Sequence, residues 1–125
     1  MNTMSHNPKP ALDAFIATLI SHPTTVETFV VSDGENEAVR LLVTEGGTEI
    51  AVDVEVFLSP AGCGHYHLDP RLTSDSRFAL MEQSVLPDDH FAAMVQGSQI
   101  ASALTVAHRD VIARTARERF AHHVM

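Results

Sequence analysis

The amino-acid sequence predicts one α+β domain, in which a helix precedes an antiparallel sheet and further helices follow the sheet. Residues 9–22 and 74–124 carry apolar side chains at helical spacing. Residues 26–69 instead contain runs in which apolar and polar side chains alternate, separated by turns with glycine. Residues 1–8 show neither pattern and are predicted to be a tail. The 125 residues leave no room for a second hydrophobic core. The composition, with 45% apolar and 19% charged residues, excludes collagen-like, coiled-coil and disordered chains.

The first helix is predicted from Pro10 at an early turn and from a stripe of apolar residues after it. Proline suits the first turn of a helix, where its missing N–H has no partner. The stripe consists of Leu12, Phe15, Ile16, Leu19 and Ile20. Pro23 ends the helix, because the residue before a proline is pushed out of helical geometry.

Three strands are predicted next, over residues 26–32, 38–44 and 48–58. The third is the clearest, since Ile50, Val52 and Val54 alternate with polar residues at the period of a sheet with one buried face. Short turns with glycine between the strands predict an antiparallel meander. A fourth strand over residues 65–68, ended by Asp69 and Pro70, is the alternative to three.

Helices are predicted from Ser74 onward. Phe78, Met81 and Val85 belong to a first short helix, and Asp88 or Asp89 caps a second one that Gly97 and Ser98 end. A long final helix of about 26 residues would reach roughly 39 Å, against about 23 Å for a seven-residue strand. We therefore expect part of it to pack on a second copy, in a homodimer formed through Ile100, Leu104, Val111 and Phe120.

Charge is distributed unevenly along the chain. Residues 1–100 carry 14 acidic against 4 basic residues, whereas residues 101–125 carry four arginines against two acids. The net charge of −8 argues against binding of a nucleic-acid backbone, which depends on neutralisation of phosphates by Lys and Arg. An acidic body is instead suited to a basic protein partner, or simply to solubility.

The acidic sheet is the main candidate for a partner-binding surface. Glu49, Asp53 and Glu55 are predicted on the strand face opposite the valines, and Glu35 and Glu37 lie close by in the sequence. Neighbours two residues apart on one face are about 6.6 Å apart, close to the spacing of phosphates along a nucleic acid. Such a face is able to occupy the basic groove of a nucleic-acid-processing enzyme, as inhibitors carried by phages and mobile elements do. The alternative is a solvated face whose charges discourage aggregation.

A second candidate is a metal site formed by His65, His67 and Asp69, with Cys63 or His90 assisting. Two histidines two residues apart on a strand share one face, and these ligand types suit zinc. The H-x-H-x-D spacing resembles the opening of the metallo-β-lactamase metal motif, which would imply a metal-activated water. Pro70 stands where that motif continues with histidine, and the chain is too short for that fold. The alternative is an exposed loop and edge strand without metal.

Other chemistry finds no pattern in the sequence. The glycines form no phosphate-binding motif, and neither a serine nor Cys63 has the flanking residues of a known nucleophile. A single cysteine excludes an intrachain disulfide, and we find no signal peptide and no membrane-spanning run, so a cytoplasmic location is expected. We predict a non-enzymatic protein-binding module of the inhibitor, immunity or adaptor type. The alternatives are a subunit of a larger, virion-like assembly and a small metal-dependent enzyme or sensor.

Overall fold

The computed structural model describes residues 8–32, 34, 37–58 and 66–124, and it confirms the α+β class. Helix α1 precedes four strands, and three helices follow them. The bounds are α1 Pro8–Ser21, β1 Thr25–Ser32, β2 Glu37–Glu45, β3 Thr48–Leu58, β4 Tyr66–Leu72, α2 Ser74–Glu82, α3 His90–Ala107 and α4 Arg109–Val124. Of the predicted tail, Pro8 belongs to α1, and residues 1–7 lie outside the described residues.

The four strands form one antiparallel sheet in the order β1-β2-β3-β4, so the alternative with a fourth strand is confirmed. The hairpin between β2 and β3 turns at Gly46 and Gly47, whose φ angles of 58° and 82° suit glycine. β4 continues through Pro70 to Leu72, four residues beyond the predicted end at residue 68. Proline is tolerated there because β4 is an edge strand, which leaves one row of N–H groups without a partner strand.

Three helices cover one face of the sheet. α3 packs against β4 and β3, α4 packs against β1 and β2, and α1 packs against β2 and α3. Leu12 and Leu19 of the predicted α1 stripe are fully buried, whereas Ile20 is 38% exposed. The buried residues of the sheet are Val39, Leu41, Val43, Ile50, Val52 and Val54. The core therefore lies between the helices and a single face of the sheet.

Gly97 does not end a helix, in contrast to the prediction. α3 runs through it, and a Cβ at this position would lie 3.0 Å from Leu72 Cδ2. The missing side chain lets the helix approach β4 closely. The boundary between the last two helices falls instead at His108, whose φ and ψ of −118° and 28° are not helical.

The helix boundary at His108 corrects the expectation that the last helix is much longer than the strands. The 16 residues of α4 span about 24 Å, which is close to the roughly 26 Å of the eight-residue β1, so no length is left over. Ile100 and Leu104, predicted to form a dimer contact, are fully buried in the protomer. Val111 is partly buried, and the Phe120 side chain lies outside the described residues.

Candidate functional site

The candidate site is the sheet face opposite the helices, which we call the open face. Because side chains alternate along a strand, the neighbours of the buried residues on β2 and β3 point to this face. Asp53 and Glu55 lie on it, as does Glu49. The structure therefore places these three acids on the side predicted for them, opposite Ile50, Val52 and Val54.

A row of four residues crosses the middle of the open face. Phe29 of β1 lies opposite Arg40 of β2, Arg40 lies opposite Asp53 of β3, and Asp53 lies opposite Arg71 of β4. Arg40 Nε donates to Asp53 Oδ1 at 2.6 Å, and Arg40 Nη2 donates to Asp53 Oδ2 at 2.9 Å. The hydrogen bond to Asp53 raises the pKa of Arg40, and burial opposes that shift. This bidentate pair neutralises Asp53.

Arg71, at the end of this row, has no hydrogen bond or ion pair within the described part of the chain. Its neighbour Asp53 already uses both carboxylate oxygens for Arg40. Arg71 is exposed and therefore offers an unpaired guanidinium to solvent.

Two carboxylates face each other next to the row. Glu55 of β3 lies directly opposite Asp69 of β4, on the same face. Side chains in such a cross-strand pair have Cβ atoms about 4.5–5.5 Å apart, and like charges there are destabilising. With Glu27 of β1 and Glu49 added, the described strand residues of the open face include five acids and two arginines, Arg40 and Arg71. These residues give the open face a net negative charge, and Glu55 and Asp69 place two carboxylates directly opposite each other on it.

Aromatic side chains stand among these charges. Phe29 is 43% exposed and Phe57 is 48% exposed. The ring of Phe57 contacts the ring of His67 on β4, with centroids 6.0 Å apart and planes inclined by 35°. Half-exposed aromatic rings beside charged groups are typical of protein-binding surfaces, where aromatic residues are enriched.

The open face forms a depression of about 940 Å³, and the start of α2 closes one side of it. Thr73 is the N-cap of α2, and its side chain accepts the Ser76 N–H. Thr73 N–H donates to the carbonyl of Ala51 at 3.0 Å, and the Ala51 N–H donates to Ser76 Oγ at 2.9 Å. α2 thereby takes over from β4 as the neighbour of β3, and Asp75 comes to line the depression.

Glu37 and Glu35 are the other two acids predicted for the partner-binding surface. Glu37 begins β2, is partly buried and lines the depression. Glu35 lies outside the described residues. Phe29, Phe57 and Arg40 were not predicted as members of the site. The sequence does contain a signal for them, because each occupies a strand position that alternates with residues facing the core.

Some of the residues predicted to bind a metal lie outside the part of the chain that the structure describes. Cys63 and His65 lie among residues 59–65, which the structure does not describe, whereas His67 and Asp69 share the open face. Among the side chains that are described, no group of three or more His, Cys, Asp or Glu residues is arranged to hold a metal ion. The zinc site, like the virion-like assembly subunit, stays a prediction.

Comparison with protein families, with curated proteins and with solved structures finds no match to this chain. None of the helices in the described ranges is both long and apolar enough to cross a membrane.

Proposed function

We propose that this chain is a non-enzymatic protein-binding module, of the inhibitor, immunity or adaptor type, that receives a basic segment of a partner on the open face. One observation carries the proposal. Among the described residues, no helix covers this face of the sheet, and the strands present five acids, two half-exposed phenylalanines and two arginines on it.

The electrostatics of the open face favour a cationic partner. Once Arg40 and Asp53 neutralise each other, the described strand residues of the open face leave Glu27, Glu49, Glu55 and Asp69 against Arg71. A surface of one sign attracts a partner of opposite sign during diffusional encounter and raises the rate of association. Lysine- or arginine-rich protein segments meet this requirement, and the basic groove of a nucleic-acid-processing enzyme is one example.

The aromatic residues would supply contact area that charge alone does not. Phe29 stands on β1 at one end of the central row, and Phe57 stands on β3, next to His67 of β4. Aromatic side chains in the middle of an interface commonly contribute more binding energy than the charges at its rim. Aliphatic portions of lysine or arginine side chains would pack on these rings while the cationic groups reach the carboxylates. A partner of this kind would meet the chain in the cytoplasm, the location expected from its single cysteine.

The experiment compares two triple variants with equal changes of charge. Glu49→Lys, Glu55→Lys and Asp69→Lys reverse the open face, whereas Asp13→Lys, Glu82→Lys and Glu118→Lys reverse three exposed acids elsewhere. The probes are a peptide that alternates lysine with valine and a peptide of the same length that alternates glutamate with valine. Fluorescence anisotropy measures their binding at low and at high salt.

We expect the wild type and the control variant to bind the lysine peptide in preference to the glutamate peptide. The open-face variant should bind the lysine peptide at least about 10-fold more weakly. The same three proteins are then used to capture partners from a lysate. A partner retained equally by both triple variants would contradict the proposal, as would equal binding of the two peptides by the wild type.

A further inference from the structure

A second surface lies along α3, on the far side of the molecule from the open face, and it carries no charged residue. The 18 residues His90–Ala107 include no Asp, Glu, Lys or Arg. Gly97 faces β4, where it contacts Leu72. The residues that point away from the sheet, which we call the outer face of α3, are Phe91, Met94, Val95, Ser98, Gln99, Ser102 and Val106, all of them exposed.

The outer face of α3 exposes large apolar side chains. Phe91 is 74% exposed, Val106 is 72% exposed, and Met94 and Val95 are about half exposed, at 50% and 45%. A helix on the surface of a globular protein normally presents charged or polar residues to solvent. Here, exposed apolar side chains stand at both ends of the face with uncharged Ser98, Gln99 and Ser102 between them, and exposed apolar patches mark sites of interaction with other molecules.

We propose that the outer face of α3 packs antiparallel against the same face of a second copy of this chain. The order of side-chain sizes along the helix fits this arrangement. A two-fold axis between Ser98 and Gln99 would bring the large Phe91 beside Val106 of the second copy, and Val95 beside Ser102. Ser98 and Ser102, the small residues of the outer face, then lie near the centre together with Gln99, and the large apolar residues meet at both ends.

Charges at the ends of α3 are complementary in the same arrangement. Asp88 precedes the helix and Arg109 follows it, and both are exposed. Antiparallel packing about the same axis places Asp88 near Arg109 of the second copy, and this contact occurs twice. A parallel arrangement would instead place Asp88 and Asp89 beside the same residues of the second copy, where they repel. Antiparallel packing also opposes the two helix dipoles.

The net charge of the chain favours this surface over others for self-association. Two copies that each carry −8 repel each other through most of their surfaces, and the repulsion is smallest where the contact surface has no charge. The 18 residues of α3 provide about 27 Å of helix for the contact. The contact surface predicted from the sequence used Ile100 and Leu104, which face the core; the dimer proposed here uses the opposite face of the same helix.

Sedimentation velocity of the full chain over a range of concentrations tests the proposal. We expect a dimer in the wild type, and a dissociation constant raised at least about 30-fold by Phe91→Lys. Phe29→Lys is the matched control, because Phe29 is also an exposed phenylalanine but lies on the open face. It should leave the dimer intact. Circular dichroism of each variant establishes that it is folded.

A charge exchange tests the antiparallel geometry. Asp88→Arg and Arg109→Asp should each weaken the dimer, and the two substitutions together should restore it. A wild type that stays monomeric at high micromolar concentration would overturn the proposal and leave the outer face of α3 to a different protein. A dimer unaffected by Phe91→Lys, or one that the double exchange does not restore, would also contradict it. None of these measurements depends on the binding of a basic partner.

Discussion

Arg40 changes which carboxylates of β3 are available to a partner. Asp53 is held by two hydrogen bonds from Arg40, whereas Glu49 and Glu55 have no ion pair among the residues described. The two unpaired acids are six residues apart, or about 20 Å along the strand. The spacing of about 6.6 Å, on which mimicry of phosphates depends, would need an acid at every second residue, but Ala51 follows Glu49 on this face and Asp53 is held by Arg40. Glu55 instead lies opposite a second carboxylate, Asp69, on the neighbouring strand.

The pair of carboxylates at Glu55 and Asp69 gives a prediction at this scale. We expect Glu55→Lys to raise the free energy of unfolding by about 0.2–1 kcal/mol, because it replaces a cross-strand repulsion with an attraction. Urea denaturation at neutral pH measures the change. Glu49→Lys is the control, since Glu49 lies opposite Thr44 and faces no acid in that pair. Equal stability of the two variants would show that the repulsion at Glu55 is absent.

The helices show how contacts between elements modify local sequence preferences. Glycine in the middle of a helix costs about 1 kcal/mol relative to alanine, yet α3 remains helical through Gly97. The close contact with Leu72 of β4 depends on the missing side chain. In α4, the polar residue Thr115 is partly buried against β1, where the hydroxyls of Thr115 and Thr28 form a hydrogen bond of 2.7 Å. Both features arise where a helix meets a strand.

The contact at Gly97 gives a prediction for α3. Gly97→Val should lower the free energy of unfolding by about 1–3 kcal/mol, because its side chain would overlap Leu72 Cδ2. Chemical denaturation checks the size of the loss. In a Leu72→Ala background the same substitution should cost less, since the overlapping atom is gone. A loss of the same size in both backgrounds would mean that another contact is responsible.

At the scale of the whole molecule, the sheet separates two surfaces of different character. The open face carries the acids and two phenylalanines, whereas the outer face of α3, on the far side of the helical layer, has no Asp, Glu, Lys or Arg and exposes large apolar side chains. A dimer formed through α3 would leave both open faces directed away from the contact. Binding of a basic partner and self-association would then not compete for the same residues.

The pH dependence of global stability is expected to reflect His108, at the junction of α3 and α4. Burial lowers the pKa of His108 below its usual 6.5, and its Nε2 atom is buried without a hydrogen-bond partner among the residues described. The unfolded chain therefore takes up the proton at higher pH than the folded chain does. The stabilisation from the neutral ring is fully present above about pH 6.5 and is lost as the pH falls through the lowered folded pKa.

Urea denaturation between pH 5 and pH 8, compared across variants, tests this expectation. His108→Gln should remove part of the decline in stability below pH 6.5, whereas His22→Gln, at an exposed histidine, should retain the wild-type decline. A His108→Gln profile parallel to that of the wild type would contradict the assignment.

The elements and the two faces of the sheet could be predicted from the sequence, because both depend on local periodicity. The apolar spacing of α1, the alternation of β3 and the turn at Gly46 and Gly47 each involve residues within about one helical turn or one hairpin. Alternation also determines which side of β3 carries Glu49, Asp53 and Glu55, since successive side chains on a strand must point to opposite faces.

Only the tertiary structure decided which of these residues interact. The register of β2 against β3 pairs Asp53 with Arg40, and the register of β4 places Asp69 opposite Glu55. The edge position of β4 allows Pro70 within a strand, the packing of α3 on Leu72 keeps Gly97 helical, and the helix boundary falls at His108. These outcomes depend on contacts between residues that are distant in the sequence or on the packing of whole elements, and local spacing carries no information about either.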